Sequence, residues 1–501
     1  MMEIKRVAFL NPQGNFDPDD SYWTEHPDFG GQLVYVKEVA IAMAKEFGVE
    51  VDILTRQVKD DDWPEFSSSL DSYPETDKVN IIRLPFGGNE FLNKEKLWPY
   101  LKDYVLEIRK YYDEIGEKPD ILTTHYGDGG LAGAMFEKET GIPFTFTAHS
   151  LGAQKMDKLN VNENNLEEML ARYNFHLRIA AERISMNNSA INFVSTSQEK
   201  DSQYSHRAYE GTVDLNADKD FAVVPPGVNT DIFNPETGPE DEKIEVKFKK
   251  MLERDISEER RSLPGVIAAS RLDPKKNHLG FVKAFAGNAE LQSRTNLVIT
   301  LRGIDNPFED YSKASGDEKE ILDEIMEIID ENDLRGKVTM FSLNSQQELA
   351  SIYRVLAQRK SVFALTAFYE PFGLAPIEAM ASGLPVVATE NGGPEEIMND
   401  GKKHYGILVD PEDPEDIAKG ILEVFLGPEG WEYYHEAGLE RVETTYTWEK
   451  TAEGYLNRIK EIINNTEAYK SDKSMEIPDY FNTGKNEAEL IIELEKYYLN
   501  N

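Results

Sequence analysis

Residues 361–389 read SVFALTAFYEPFGLAPIEAMASGLPVVAT, and this stretch decides the fold. SVFALT (361–366) and PVVAT (385–389) are short and almost wholly apolar. Such runs are strands of a parallel sheet covered on both faces. Between them, Pro376 can open a helix, because its ring presets the first-turn dihedral and its missing N–H is not needed there. Strand, loop, helix and strand in so short a span make one βαβ unit.

The same alternation runs outward. GVIAAS (265–270), NLVITL (296–301), KVTMFS (337–342) and GILVD (406–410) complete one series. VAFLN (7–11), VDILT (51–55), VNIIRL (79–84), DILTTH (120–125), PFTFTA (143–148), INFVS (191–195) and FAVVP (221–225) form another, with helical stretches such as Leu33–Phe47 and Leu97–Tyr112 between them. The expected class is α/β, with two Rossmann-like doubly wound domains facing a cleft. Turn residues cluster from Pro225 to Pro239 and a charged stretch follows. The expected division is therefore 1–240, 241–440 and a helical tail, 441–501, that packs back on the first domain. Ligands of such sheets bind beyond the carboxyl ends of the strands, so site residues should follow strands.

Composition limits the function. Asp and Glu total 92 against 54 Lys and Arg, a net charge of −38. A field of that sign repels nucleic acid, and an anionic substrate must be met by a local cluster of cations. The acidic residues are spread through the chain, which fits a surface adapted to high salt. There is no cysteine, which excludes a disulfide framework, a thiol nucleophile and a thiolate metal site. The eight histidines show no metal-binding spacing. MMEIKRVAFLNPQG reads as a strand rather than a signal peptide, and no apolar run approaches the length of a membrane span. The expectation is a soluble, cytoplasmic protein with no membrane or nucleic-acid partner, its oligomeric state open and a monomer favoured.

Three motifs mislead. Gly127-Asp128-Gly129-x-x-Ala132 follows a strand like a dinucleotide fingerprint, but no acidic residue ends the next strand. His149-Ser150-Leu151-Gly152 resembles a nucleophile elbow, yet charged residues follow where small ones belong. Asp60-Asp61-Asp62 is an acidic loop.

Three others converge. Phe29-Gly30-Gly31-Gln32 opens a helix, whose amino end favours an anion. Ser270-Arg271-Leu-Asp-Pro-Lys275-Lys276-Asn277 follows a strand, and Arg271 with Lys276 can clamp a diphosphate. Glu370 and Glu378 flank Pro371-Phe372-Gly373-Leu374. With a helix starting at Pro376, Glu370 precedes it and Glu378 lies in its first turn. Carboxylates accept pairs of sugar hydroxyls, so two acids beside a cationic clamp point to a sugar nucleotide.

EPFGLAPIEAMASGLPVV followed by GGPEEI resembles the signature of retaining GT-B glycosyltransferases, and VVPPGVNTDIFNP and SRLDPKKN match the same group. More narrowly, FLNPQGNF, GGQLVYVKE, THYGDGGLAG, HSLGAQK and RYNFHLRIAAER are similar to the sucrose-phosphate synthase and sucrose synthase families. The resemblance implies that Gly31 binds the donor diphosphate through its backbone, and that Arg271 and Lys276 neutralise the leaving nucleoside diphosphate. It implies that Glu370, with the amides of Phe372, Gly373 and Leu374, holds the glucose, and that Glu378 holds the ribose. His149 would contact the glucose 6-hydroxyl and Gln32 the acceptor fructose. Ala148 departs from the family, which has Gly there. Lys94, Lys155 and Arg178 stand on the family's phosphate-site positions, which implies fructose 6-phosphate as acceptor; the alternatives are free fructose, as in sucrose synthase, or the acceptor of another retaining GT-B glycosyltransferase. The donor is a nucleoside diphosphate glucose, with UDP and ADP both open. The implied reaction retains configuration by front-face attack and calls for no cofactor and no metal, the two cations taking the metal's role. No motif of a fused phosphatase is visible.

Overall fold

The structure is a computed structural model that describes residues 3–21, 31–217, 220–470 and 474–499. Phe29 and Gly30 of the glycine loop lie outside the described residues. The chain divides into two compact units, Met1–Pro226 with Trp448–Asn501, and Gly227–Thr447.

The first unit is built on eight strands: β1 (Arg6–Leu10), β2 (Glu50–Arg56), β3 (Leu70–Ser72), β4 (Val79–Leu84), β5 (Ile121–His125), β6 (Phe144–Thr147), β7 (Ile191–Val194) and β8 (Phe221–Val223). Their order in the sheet is β3-β4-β2-β1-β5-β6-β7-β8. Every pairing is parallel except β3 with β4. The sequence reading missed β3 because Leu70-Asp71-Ser72 is a short, exposed, antiparallel edge without an apolar run.

The second unit holds β9 (Gly265–Ala268), β10 (Asn296–Leu301), β11 (Val338–Ser342), β12 (Val362–Leu365), β13 (Val386–Thr389) and β14 (Ile407–Val409), all parallel, in the order β11-β10-β9-β12-β13-β14. Both orders reverse direction beside the strand that opens the unit. There the crossover helices diverge to opposite faces and leave room for a ligand at the carboxyl ends.

The boundary falls earlier than the turn cluster suggests, after Pro226 rather than at 240. Val228 and Phe233 are buried in the core of the second unit, and the Val228 N–H donates to the Tyr446 carbonyl at 2.9 Å. For the same reason residues 441–447 belong to the second unit, whereas the helix Trp448–Asn464 packs on the helix Gly31–Phe47 in the first. Trp448, Ala452, Tyr455, Leu456 and Ile459 recur at helical spacing and share one core with Val36, Val39 and Ala40. Tyr455 ties this packing to the sheet: its hydroxyl lies 3.0 Å from that of Tyr35 and 2.8 Å from Thr147 Oγ1. No described helix is long and apolar enough to cross a membrane.

Ile459 is fully buried in this seam. Ile459→Ala is expected to destabilise the first unit by about 2–5 kcal/mol. Thermal unfolding should show an earlier transition, and an unchanged melting profile would contradict the role given to the helix.

Candidate functional site

The carboxyl end of β9 runs into Ser270–Asn277. Asp273 caps the turn Pro274–Lys276 through the Lys275 N–H at 2.9 Å. Asn277 then adopts a left-handed conformation, φ 53°, and caps the next helix through the Gly280 N–H at 3.0 Å. Its side chain also donates to the Pro411 carbonyl at 2.7 Å. The loop is thus fixed from both sides, and Lys276 extends from it. Lys276 Nζ pairs with Glu370 Oε2 at 2.6 Å. Arg271 is exposed and makes no side-chain hydrogen bond among the described residues.

Glu370 sits in a loop held by backbone contacts on two sides. Phe368 N–H donates to the Lys275 carbonyl, Glu370 N–H to the Asn391 carbonyl, and Gly393 N–H to the Glu370 carbonyl, each at 3.0 Å. Gly392 has φ 110°, and a Cβ there would overlap the Glu370 carbonyl; a Cβ on Gly393 would overlap Phe372. The Gly-Gly-Pro motif is therefore a cradle that sets the loop. The helix begins at Leu374, with Gly373 (φ 112°) before it, two residues earlier than Pro376. Glu378 accordingly lies in the second turn rather than the first. The amides of Gly373 and Leu374 stand at the helix amino end, where no intrahelical acceptor exists. Burial raises the Glu378 carboxyl to about 7, and its carboxylate has no hydrogen-bond partner among the described residues.

In the first unit, β5 and β6 lie side by side and end on His125 and at Thr147. His149 has φ 56° and is the centre of a γ-turn closed by the Ser150 N–H on the Ala148 carbonyl, 2.6 Å. This turn is strained, and strain of that kind gathers at functional sites. The His149 ring meets the His125 ring nitrogen to nitrogen, their planes 23° apart and centroids 5.0 Å apart, and faces Tyr35 edge-on at 5.0 Å. Burial lowers the His149 imidazole to about 3, so it is neutral at ordinary pH. Gln32, in the first turn of its helix, donates to Asn11 Oδ1 at 2.7 Å. Gly31 is exposed at the start of that helix.

Lys155 lies on the short helix Gly152–Lys158, its ammonium 4.0 Å from the centroid of the Tyr173 ring. Burial lowers its pKa first, and the positive charges of Arg178, Lys94 and Arg172 lower it further against an opposing Glu95. The charges of Lys94, Arg172 and Arg178 thus all bear on the Lys155 ammonium. Arg178 is not free within that cluster. Its Nε donates to Glu182 at 2.8 Å, and its Nη2 to the Ser150 carbonyl at 2.9 Å and hydroxyl at 3.1 Å. Glu182 is wholly buried and also accepts the Gly152 N–H at 3.0 Å and the Tyr209 hydroxyl. One carboxylate thus locks Arg178 to the helix that carries Lys155.

Four contributors escaped the sequence reading. Glu182 stands four residues after Arg178 on the same helix, a spacing from which the pair could have been read. Arg172 precedes the aromatic that stacks on Lys155. Asp128 was set aside with the dinucleotide-like motif and His125 was read only as the end of its strand, yet His125 closes β5 and Asp128 lies in the first turn of the helix that follows. Burial raises Asp128 to about 7, and it accepts from Gln13 Nε2 at 3.2 Å.

Comparison with known proteins places the chain in a family. Residues 250–441 match the family model described as Glycosyl transferases group 1, and residues 1–256 match that described as Sucrose synthase first GT-B domain. The chain is 46% identical over 455 residues to a probable sucrose-phosphate synthase of Thermosipho melanesiensis, covering 91% of this chain and 96% of that one. It is 33% identical to the sucrose-phosphate synthase of Spinacia oleracea, covering 86% of this chain but 45% of that one, so it spans about half the length of the plant relative. A sucrose-phosphate synthase structure from Thermosynechococcus elongatus superposes with a TM-score of 0.61 at 23% identity, over 92% of this chain and 99% of that one. The catalytic domain of starch synthase IV from Arabidopsis thaliana, bound to ADP and acarbose, gives 0.59 at 14%, over 92% and 100%. The fold is GT-B, and the chain belongs to the sucrose-phosphate synthase family of glycosyltransferases.

Proposed function

We propose that the chain transfers glucose from a nucleoside diphosphate glucose to fructose 6-phosphate, with retention of configuration, to give sucrose 6-phosphate. The observation that carries the acceptor assignment is the gathering of Lys94, Lys155, Arg172 and Arg178 in a chain of net charge −38. A phosphate dianion needs such a local excess of cations; the pKa of Lys155 is lowered first by burial and then by the repulsion of Arg178, Lys94 and Arg172, and an anion would relieve that second part. Glu182 takes up part of the Arg178 charge but fixes its direction, which favours one bound geometry over a diffuse attraction. Gln32 contacts the fructose in this reading.

The donor half-site is that of the second unit. A nucleotide sugar carries both an anion and hydroxyls, so it can satisfy Lys276 and Glu370 separately where they now satisfy each other. Lys276 and Arg271 then face the diphosphate, joined by the Gly31 amide. Glu370 and the amides of Phe372, Gly373 and Leu374 take the glucose hydroxyls, and Glu378 takes the ribose. His149 contributes a contact to the transferred sugar. In front-face transfer the anomeric C–O bond to phosphate breaks, the acceptor hydroxyl oxygen bonds to the same face, and its proton passes to the departing phosphate oxygen. Catalysis is then positioning plus stabilisation of the leaving charge. Arg271 and Lys276 supply that charge. The reaction class draws its support from the family and the half-site geometry together.

The acceptor pocket is tested by Lys155→Ala. One charge-assisted contact is worth about 1.5–3 kcal/mol, so KM for fructose 6-phosphate should rise about ten- to a hundredfold. Use of free fructose should change less than about twofold, since the lost contact is to the phosphate. Arg178→Ala should show the same selectivity with lower thermal stability, because it leaves the buried Glu182 carboxylate without its counter-charge. An equal loss on both acceptors would refute the phosphate pocket.

Glu378 gives a pH test. Its carboxyl holds a proton below about pH 7 in the free protein. Accepting two ribose hydroxyls requires the ionised form, so donor binding releases that proton. Donor affinity should fall as pH drops through 7, approaching about tenfold per pH unit, and level off above it. Glu378→Gln should bind more weakly at pH 8 and lose the dependence. Calorimetry across pH 5.5–8 measures both, and a flat wild-type profile would remove the ribose role.

A further inference from the structure

His125 ends β5 and is wholly buried, and Tyr126 after it takes φ 62°. Its Nδ1 lies 2.8 Å from His149 Nε2. Its other nitrogen, Nε2, is buried with no partner among the described residues. His149 Nδ1 makes no hydrogen bond among the described residues, and His149 is only partly buried. The pair is packed by Phe9, 5.5 Å from the His125 ring, and by Tyr35, which touches both rings and is itself held by Tyr455.

Both rings are neutral, since burial pushes each well below the usual imidazole range. One proton then lies between the two facing nitrogens, and two arrangements compete. With the proton on His149 Nε2, the neutral His125 carries its own proton on its other nitrogen, an N–H buried without an acceptor. With the proton on His125 Nδ1, the orphaned atom is only a lone pair. Buried unpaired donors are rarer in folded proteins than under-satisfied acceptors. The second arrangement follows, and it leaves His149 protonated on Nδ1, the nitrogen that is open.

We propose that His125 is a positioning residue: by donating Nδ1–H to His149 Nε2 it fixes the His149 tautomer and ring direction, so that His149 offers an N–H donor to the transferred sugar. This rests on the glucosyl-transfer reading only for the sugar; the tautomer stands on the geometry. Free histidine prefers the opposite tautomer, so without His125 the open nitrogen would become an acceptor. The same hydrogen bond also holds His149 in a turn whose backbone is strained, where a displaced side chain would misplace the contact.

Long-range 1H–15N correlation on protein with 15N-labelled histidine reads the tautomer directly, His149 being assigned by the signal lost in His149→Gln. Wild type is expected to show a pyrrole-type Nδ1 and a pyridine-type Nε2 for His149. His125→Phe should move His149 to the Nε2–H form and lower kcat about tenfold or more, with KM for fructose 6-phosphate changed less than about threefold. His125→Asn, whose amide nitrogen can stand where Nδ1 does, should restore the tautomer and recover most of the lost kcat. An Nε2–H form of His149 in wild type overturns the proposal, as does an unaltered tautomer or kcat in His125→Phe. If that variant does not fold, the wild-type spectrum and His125→Asn still decide. Absence of transfer in wild type would sink the reaction reading, while the spectrum would continue to judge the tautomer.

Discussion

An anion can settle on a chain of net charge −38 only where local cations override the long-range field. That constraint organises the site. In the first unit four cations gather beside the loop after β6, and the buried carboxylate of Glu182 holds one of them in a set direction. In the second unit Lys276 stands close to Glu370 in a loop that two glycines cradle. Elsewhere a number of surface lysines and arginines pair with neighbouring acids, as in Lys319–Asp323 and Lys419–Glu415. Exposed pairs of that kind contribute little to stability.

The sheets place these loops. A parallel strand buried on both faces reads as an unbroken apolar run, so thirteen of the strands could be located from the residues alone. The edge strand Leu70–Ser72 could not, because an exposed antiparallel edge carries no such run. The boundary between the units was displaced for a related reason. Pro and Gly between 225 and 239 mark turns, but Val228 and Phe233 among them are core residues of the second unit. Turn chemistry locates a bend in the chain and does not say which core the bend feeds.

Within the site, residue types at strand ends were legible and their partnerships were not. Lys155 and Arg178 could be named, but not that Glu182 binds the guanidinium and the Gly152 amide together. Glu378 could be named, but its raised pKa depends on burial that only the packed helix provides. His125 and His149 are separated by a full crossover and become neighbours because β5 and β6 pair in register. Contacts across a sheet are set by register, which local spacing does not encode.

The central claim is that the acceptor carries a phosphate. The direct measurement is kcat/KM of the wild-type protein for fructose 6-phosphate and for free fructose, with UDP-glucose and ADP-glucose each tried as donor. Two charge-assisted contacts predict a preference for the phosphorylated sugar of about a hundredfold or more. Equal values for the two sugars would contradict the account.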